Sequence, residues 1–203
     1  MLHAATEGAL SLRAESDGSR ILTGRFPYGA TATMSDGGRR GRPRKERFRS
    51  RAFQYRVEKP DEEIHLLIGH DYGKPLASKL GESLRLTDSD DALTFEARIS
   101  PEVAATSYAQ DALALISAGL AVGLSPGFRI PPERAVENAE TVEEEDPAEG
   151  DALIRTINAA LLYELSIVTR PAYDESQVEA RNWQVGKSYS DRPLMLRPSF
   201  AYR

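Results

Sequence analysis

The chain has 203 residues, 40% of them hydrophobic and 28% charged, enough for one medium domain with tails or two small ones, and too apolar for a wholly disordered chain. It has no cysteine, which excludes disulfides, thiolate nucleophiles and Cys-based zinc or iron–sulfur centres. The longest uncharged stretch, Ala112–Phe128, has 17 residues and is broken by Gly, Ser and Pro, short of a membrane span, while a net charge of −5 argues against binding nucleic acid through the whole surface.

The first 18 residues are polar, lack a basic segment followed by an apolar one, and read as an N-terminal arm with no secretory signal. Ser19–Phe26 has strand character. Arg39–Arg51 then carries eight Arg or Lys and one acid, Glu46, so residues 37–51 read as a solvated basic loop. Strands are expected at Phe53–Val57, Ile64–Gly69, Ser83–Thr87 and Ala92–Ile99. In the last, Leu93, Phe95, Ala97 and Ile99 alternate with Thr94, Glu96 and Arg98, the period of a half-buried strand. One helix follows, with Ser100 as N-cap, Pro101 in its first turn, Gly119 as its stop, and an apolar face of Ala112, Leu113, Leu115, Ile116 and Leu120. Strands return at Leu120–Ile130, interrupted by Pro126, and at Leu161–Thr169. Between them, residues 137–151 hold eight acids and no base and read as an acidic loop. Past Pro171 the chain turns polar, and residues 183–203 read as a tail. Many short strands around one helix predict an α+β, mainly-β fold, a barrel or sandwich carrying a helix.

Hydrolysis without a metal needs a nucleophile, a base near neutrality and a holder for the oxyanion. There are three histidines. His3 is near the terminus, His65 lies within a strand, and His70 ends that strand before Asp71, where a side chain is both rigidly held and accessible. Taken as an isolated His-Asp pair, His70 reads rather as a turn cap with Asp71. Ser125 stands in Gly123-Leu124-Ser125-Pro126-Gly127-Phe128, a cleft-forming segment or simply a bulged turn. It follows a helix, which disfavours the strand–nucleophile–helix elbow of α/β-hydrolases. In Leu161–Thr169 strict alternation places Leu161, Tyr163, Leu165 and Ile167 on one face and Leu162, Glu164, Ser166 and Val168 on the other. Glu164 is then either a partnered acid among apolar neighbours or a surface glutamate on an edge strand.

The order His70-Asp71, then Gly-Leu-Ser-Pro-Gly-Phe-Arg after a helix, then ELSIVTRPAYDESQVEAR, resembles the prohead serine proteases of tailed bacteriophages, from about Ile21 to Arg181. The resemblance implies a capsid-maturation endopeptidase, distantly similar to herpesvirus capsid proteases, with a β-barrel core and peripheral helices over residues 19–182. It implies Ser125 as nucleophile, His70 as general base and Glu164 as its orienting acid, with Asp71 as fallback, and no cofactor or metal. Pro126 has no N–H to offer an oxyanion, so Gly127, Phe128 and Arg129 are the expected oxyanion or substrate-binding residues, with the 120–124 segment as a further source of donors. The implied substrates are the major capsid protein, the scaffold and the protease itself, inside the assembling prohead in the host cytoplasm. No membrane partner is expected, and a homo-oligomer is left open.

Arg40-Gly41-Arg42-Pro43 also resembles an AT-hook, whose arginines enter the minor groove of A·T-rich DNA. Four residues in an Arg-rich run match readily by chance. A loop drawn to acidic surfaces, the chain's own 137–151 run included, is the preferred reading, ahead of DNA binding through Arg40 and Arg42. A non-catalytic capsid or scaffold component of the same fold is the remaining alternative.

Overall fold

A computed structural model describes residues 10–121 and 123–169. His3, Pro171 and the 183–203 tail lie outside the described residues. In chain order the elements are β1 (Ser11–Ala14), β2 (Arg20–Pro27), β3 (Ala32–Ser35), β4 (Arg44–Phe48), α1 (Gln54–Glu58), β5 (His65–Ile68), β6 (Asp71–Ser78), β7 (Leu84–Asp88), β8 (Ala92–Ile99), α2 (Pro101–Ala104), α3 (Ser107–Ser117), β9 (Gly123–Arg129), β10 (Glu140–Glu144), β11 (Leu153–Ile157) and β12 (Leu161–Val168). The fold is α+β and mainly β, as expected. Its described strands form three four-stranded sheets, ordered β1-β2-β8-β7, β10-β11-β4-β3 and β6-β5-β12-β9, rather than one closed barrel.

Phenylalanines join the three sheets. Phe26 of β2, Phe48 of β4, Phe53 beside α1 and Phe128 of β9 each come from a different element, and their rings pack with centroids 5.1–6.2 Å apart, mostly edge to face. Leu22, Ile64, Leu66, Leu93, Ile99, Ile157, Leu162 and Leu165 extend this core, all fully buried.

Several expectations are corrected. Phe53–Val57 is not a strand: Phe53, Arg56 and Val57 are buried while Tyr55 is 59% exposed, so one helical turn faces the core. Lys59, next to Pro60, is already extended, which ends α1. The helix after Ser100 is two helices. The Ser100 side chain does cap α2 through the Val103 N–H, but Thr106 is extended and its hydroxyl donates to the Val103 carbonyl, which restarts the chain as α3. The inward face of α3 is Ala109, Ala112, Leu113 and Ile116; Leu115 and Leu120 are exposed. Pro126 does not interrupt β9. It lies opposite Leu165 on an edge strand, where a missing N–H is tolerated. The N-terminal arm contains β1, which pairs with β2.

The two charge runs are the largest correction. They are not solvated loops but parts of one sheet, with β4 parallel to β11 and β11 antiparallel to β10. Like charges that would repel within each run are matched by opposite charges across the sheet: Lys45 with Glu145, Arg47 with Glu143, and Arg42 with Asp151 (2.9 Å) and Glu144 (3.4 Å). At the centre, buried Arg155 bridges buried Glu46 (2.8 Å) and Glu140. The attraction of residues 37–51 to residues 137–151 is thus a structural fact, and Arg42 is engaged in it.

Candidate active site

The site is built on one face of the β6-β5-β12-β9 sheet. Antiparallel register sets Arg129 opposite Leu161, Gly127 opposite Glu164, Ser125 opposite Ser166 and Gly123 opposite Val168. Paired residues share a face, so Ser125, Gly127 and Arg129 stand together with Glu164 and Ser166. Leu162, Leu165 and Ile167 oppose Phe128, Pro126 and Leu124 and form the core face. The register slips between Leu162 and Glu164, leaving Tyr163 as the extra residue of a bulge. This bulge corrects the simple alternation expected for β12. Leu162 joins Leu165 and Ile167 in the core, and Glu164 keeps its place beside Ser166.

His70 reaches this face from a two-residue hairpin. Ile68 pairs with Asp71, and between them Gly69 and His70 have φ of +60° and +62°, the left-handed pair of a type I′ turn. Left-handed backbone is natural for Gly69 and costs a histidine about 1–2 kcal/mol, so the surroundings must hold it. They do: the His70 N–H donates to the Ser166 hydroxyl (2.8 Å) and the Gly69 N–H to the Ile167 carbonyl (3.1 Å).

The imidazole is thereby set on Glu164. His70 Nδ1 lies 2.7 Å from Glu164 Oε1, and Ser166 Oγ donates to the other carboxylate oxygen, Oε2, at 2.7 Å. Glu164 is 3% exposed and Ser166 is fully buried. The hydrogen bond to Glu164 raises the His70 pKa above the ordinary histidine value, with burial pulling the other way and the carboxylate's charge adding to the rise. Two polar atoms at the site are buried without a partner: His70 Nε2 and Ser125 Oγ.

The other expected residues fall into place unequally. Gly127 lies against the Glu164 side chain, and a Cβ there would sit 2.0 Å from Oε1 and 2.6 Å from Cδ. Its lack of a side chain is therefore required by the carboxylate, a reason that the sequence reading did not contain. Phe128 points the other way: its ring packs on Phe48 and Phe53, on the core side of the sheet rather than the Ser125 side. Arg129 is exposed four residues from Ser125, about 13 Å along the strand, with its guanidinium 5.4 Å from the centre of the Tyr163 ring. The fallback acid Asp71 accepts from the Gly73 N–H (2.8 Å) and pairs with Lys74 (3.2 Å), so Glu164 is the carboxylate on His70.

His65, opposite Glu164 in the parallel β5–β12 pair, meets Tyr72 edge to face. In the basic run, Arg42 Nε donates to the Asp151 carbonyl (2.8 Å) in addition to its ion pairs. That occupies the side chain on which a minor-groove contact would depend, and leaves Arg40 exposed without it. Ser166 was not expected at the site. Its signal is the Glu-x-Ser spacing, which in a strand puts hydroxyl and carboxylate on one face. Among the described residues no cluster of three or more His, Asp or Glu could hold a metal, and no helix is long and apolar enough to cross a membrane.

A family model described as caudovirus prohead serine protease matches residues 14–189 of the chain, a span containing His70, Ser125 and Glu164. No curated protein and no solved structure matches it.

Proposed function

The chain belongs to the caudovirus prohead serine protease family, and from that premise we propose that it is a serine endopeptidase in which Ser125 is the nucleophile, His70 the general base and Glu164 the acid that orients it. Ser125 Oγ attacks the scissile carbonyl as His70 Nε2 takes its proton, giving a tetrahedral oxyanion. His70 then protonates the leaving amine. A water, deprotonated by the same nitrogen, hydrolyses the acyl-enzyme and frees Ser125. Glu164 accepts from Nδ1–H throughout, which fixes the tautomer that leaves Nε2 free as a base and stabilises the imidazolium that forms.

One observation carries this reading. Nδ1 is held by Glu164 while the two atoms that must exchange a proton, Nε2 and Ser125 Oγ, are buried and without other partners. Leaving a buried polar atom unpaired costs about 1–3 kcal/mol, and such atoms persist where function uses them. The pair is not hydrogen-bonded in the free protein; contacts of this kind often tighten only when substrate arrives.

The substrates are the capsid and scaffold proteins that surround the enzyme in the assembling prohead, in the host cytoplasm, and the protease itself. Co-expression with its capsid protein tests this. Cleavage of both chains is expected from the parent and from neither Ser125→Ala nor His70→Ala; persistent cleavage in the folded Ser125→Ala variant overturns the assignment.

A further inference from the structure

Ser166 has a hydroxyl with one donor and two acceptor positions, and the site uses both kinds. It donates to Glu164 Oε2 at 2.7 Å and accepts the His70 backbone N–H at 2.8 Å. The two carboxylate oxygens of Glu164 are thus divided, Oε1 to the imidazole and Oε2 to Ser166. We propose that Ser166 is a positioning residue for the His70–Glu164 pair, a clamp that ties the left-handed turn carrying His70 to the carboxylate that its imidazole must meet. This rests on the protease reading above.

Three observations converge on the clamp. His70 has φ +62°, an unfavourable conformation for a side-chain-bearing residue, so its turn needs a tie at that residue, and the Ser166 bond is made to its own N–H. The Glu164 carboxylate lies over the bare Cα of Gly127, which leaves room for it, and is held at Oε1 by His70 and at Oε2 by Ser166. Ser166 is fully buried and stands directly opposite Ser125, so the imidazole, the carboxylate and Ser125 are all referred to one β12 residue. Because its hydroxyl proton is committed to Glu164, Ser166 is not a second nucleophile even though it faces the first.

The test needs no knowledge of the cleavage site. A fluorophosphonate phosphonylates an activated serine: the Ser125 oxygen bonds to phosphorus, fluoride leaves, and His70 takes the proton. In the full chain, Ser166→Ala is expected to lower the maximal rate of Ser125 modification about 10²-fold, as a displacement near 1 Å does, while the half-saturating reagent concentration changes less than about 3-fold. Its NMR spectrum should lose the low-field Nδ1 proton of His70, assigned by its absence in His70→Ala. Ser166→Thr, which restores the hydroxyl, should recover both. A folded Ser166→Ala variant with the parent rate and an intact low-field proton overturns the clamp. Should Ser166→Ala fail to fold, the isosteric Ser166→Cys takes its place, with the same losses expected and the same parent-like result overturning the proposal. If instead Ser125 is unreactive in the parent, or reacts equally in His70→Ala, the protease assignment itself fails.

Discussion

Replacing Gly127 by Ala should disable the site while leaving Ser125, His70 and Glu164 themselves unsubstituted. The added Cβ would lie 2.0 Å from Glu164 Oε1, 2.6 Å from Cδ and 2.8 Å from Cγ, where contacts under 3.0 Å do not persist. The whole carboxylate arm is in the way, and Oε1 must retreat by about 1 Å. That oxygen is the one bonded to His70 Nδ1 at 2.7 Å, and a retreat of this size along the bond takes it out of hydrogen-bonding range. Overpacking of this kind costs about 1–3 kcal/mol, which for a chain of this length lowers the melting temperature by about 2–12 °C. The chemical effect is larger, about 10²-fold in Ser125 reactivity. With its hydrogen bond to Glu164 weakened, His70 should titrate closer to an ordinary histidine. Calorimetry, fluorophosphonate kinetics and NMR titration of His70 read the three effects. A folded Gly127→Ala variant with parent reactivity and an unshifted His70 titration would refute the reasoning.

Glu164→Gln removes the charge and turns one of the two acceptor oxygens into a donor amide while keeping the shape. His70 should titrate at lower pH than in the parent, and proteolysis should fall about 10⁴-fold, as when a catalytic histidine loses its orienting carboxylate; a loss under tenfold would count against Glu164. In the parent, activity should rise with pH through an apparent pKa above the ordinary histidine value, because the base works only when deprotonated and Glu164 raises its pKa. The sign for stability is opposite: the His70–Glu164 interaction contributes fully below the unfolded-state value near 6.5 and is lost as pH rises through the folded one, which pH-dependent melts can check. Arg155→Ala leaves buried Glu46 without the cation 2.8 Å away and should cost about 3–5 kcal/mol by denaturant unfolding; a change under 1 kcal/mol would contradict the packing described. Arg40 and Arg42 should contribute no salt-dependent affinity for A·T-rich duplex, a point that a fluorescence-anisotropy titration decides.

Local patterns conveyed much of the sheet framework. The alternation in Ala92–Ile99 foretold β8, with Leu93, Phe95, Ala97 and Ile99 all buried, and the strand at His65–Ile68 ended where His70 was expected to be accessible. What failed was decided by partners distant in sequence. Phe53–Val57 read as a strand, yet Phe53 and Val57 meet the core while Tyr55 is exposed, a spacing of four that suits a helical turn. The basic and acidic runs looked solvated because each repels itself, and only their pairing across roughly a hundred residues makes them a sheet. At the site, the family resemblance carried by the order of the motifs implied His70, Ser125 and Glu164. The bulge at Tyr163 and the reason for Gly127 required the register between β9 and β12, and the Ser166 contact with His70 required the pairing of β12 with β5.

Mapping the serine that reacts with a fluorophosphonate tests the central assignment most directly. Peptide mass spectrometry of the treated full-length chain is expected to find one adduct, on Ser125, absent in His70→Ala and slowed in Glu164→Gln. An unmodified Ser125, or an adduct formed at the same rate without His70, would contradict it.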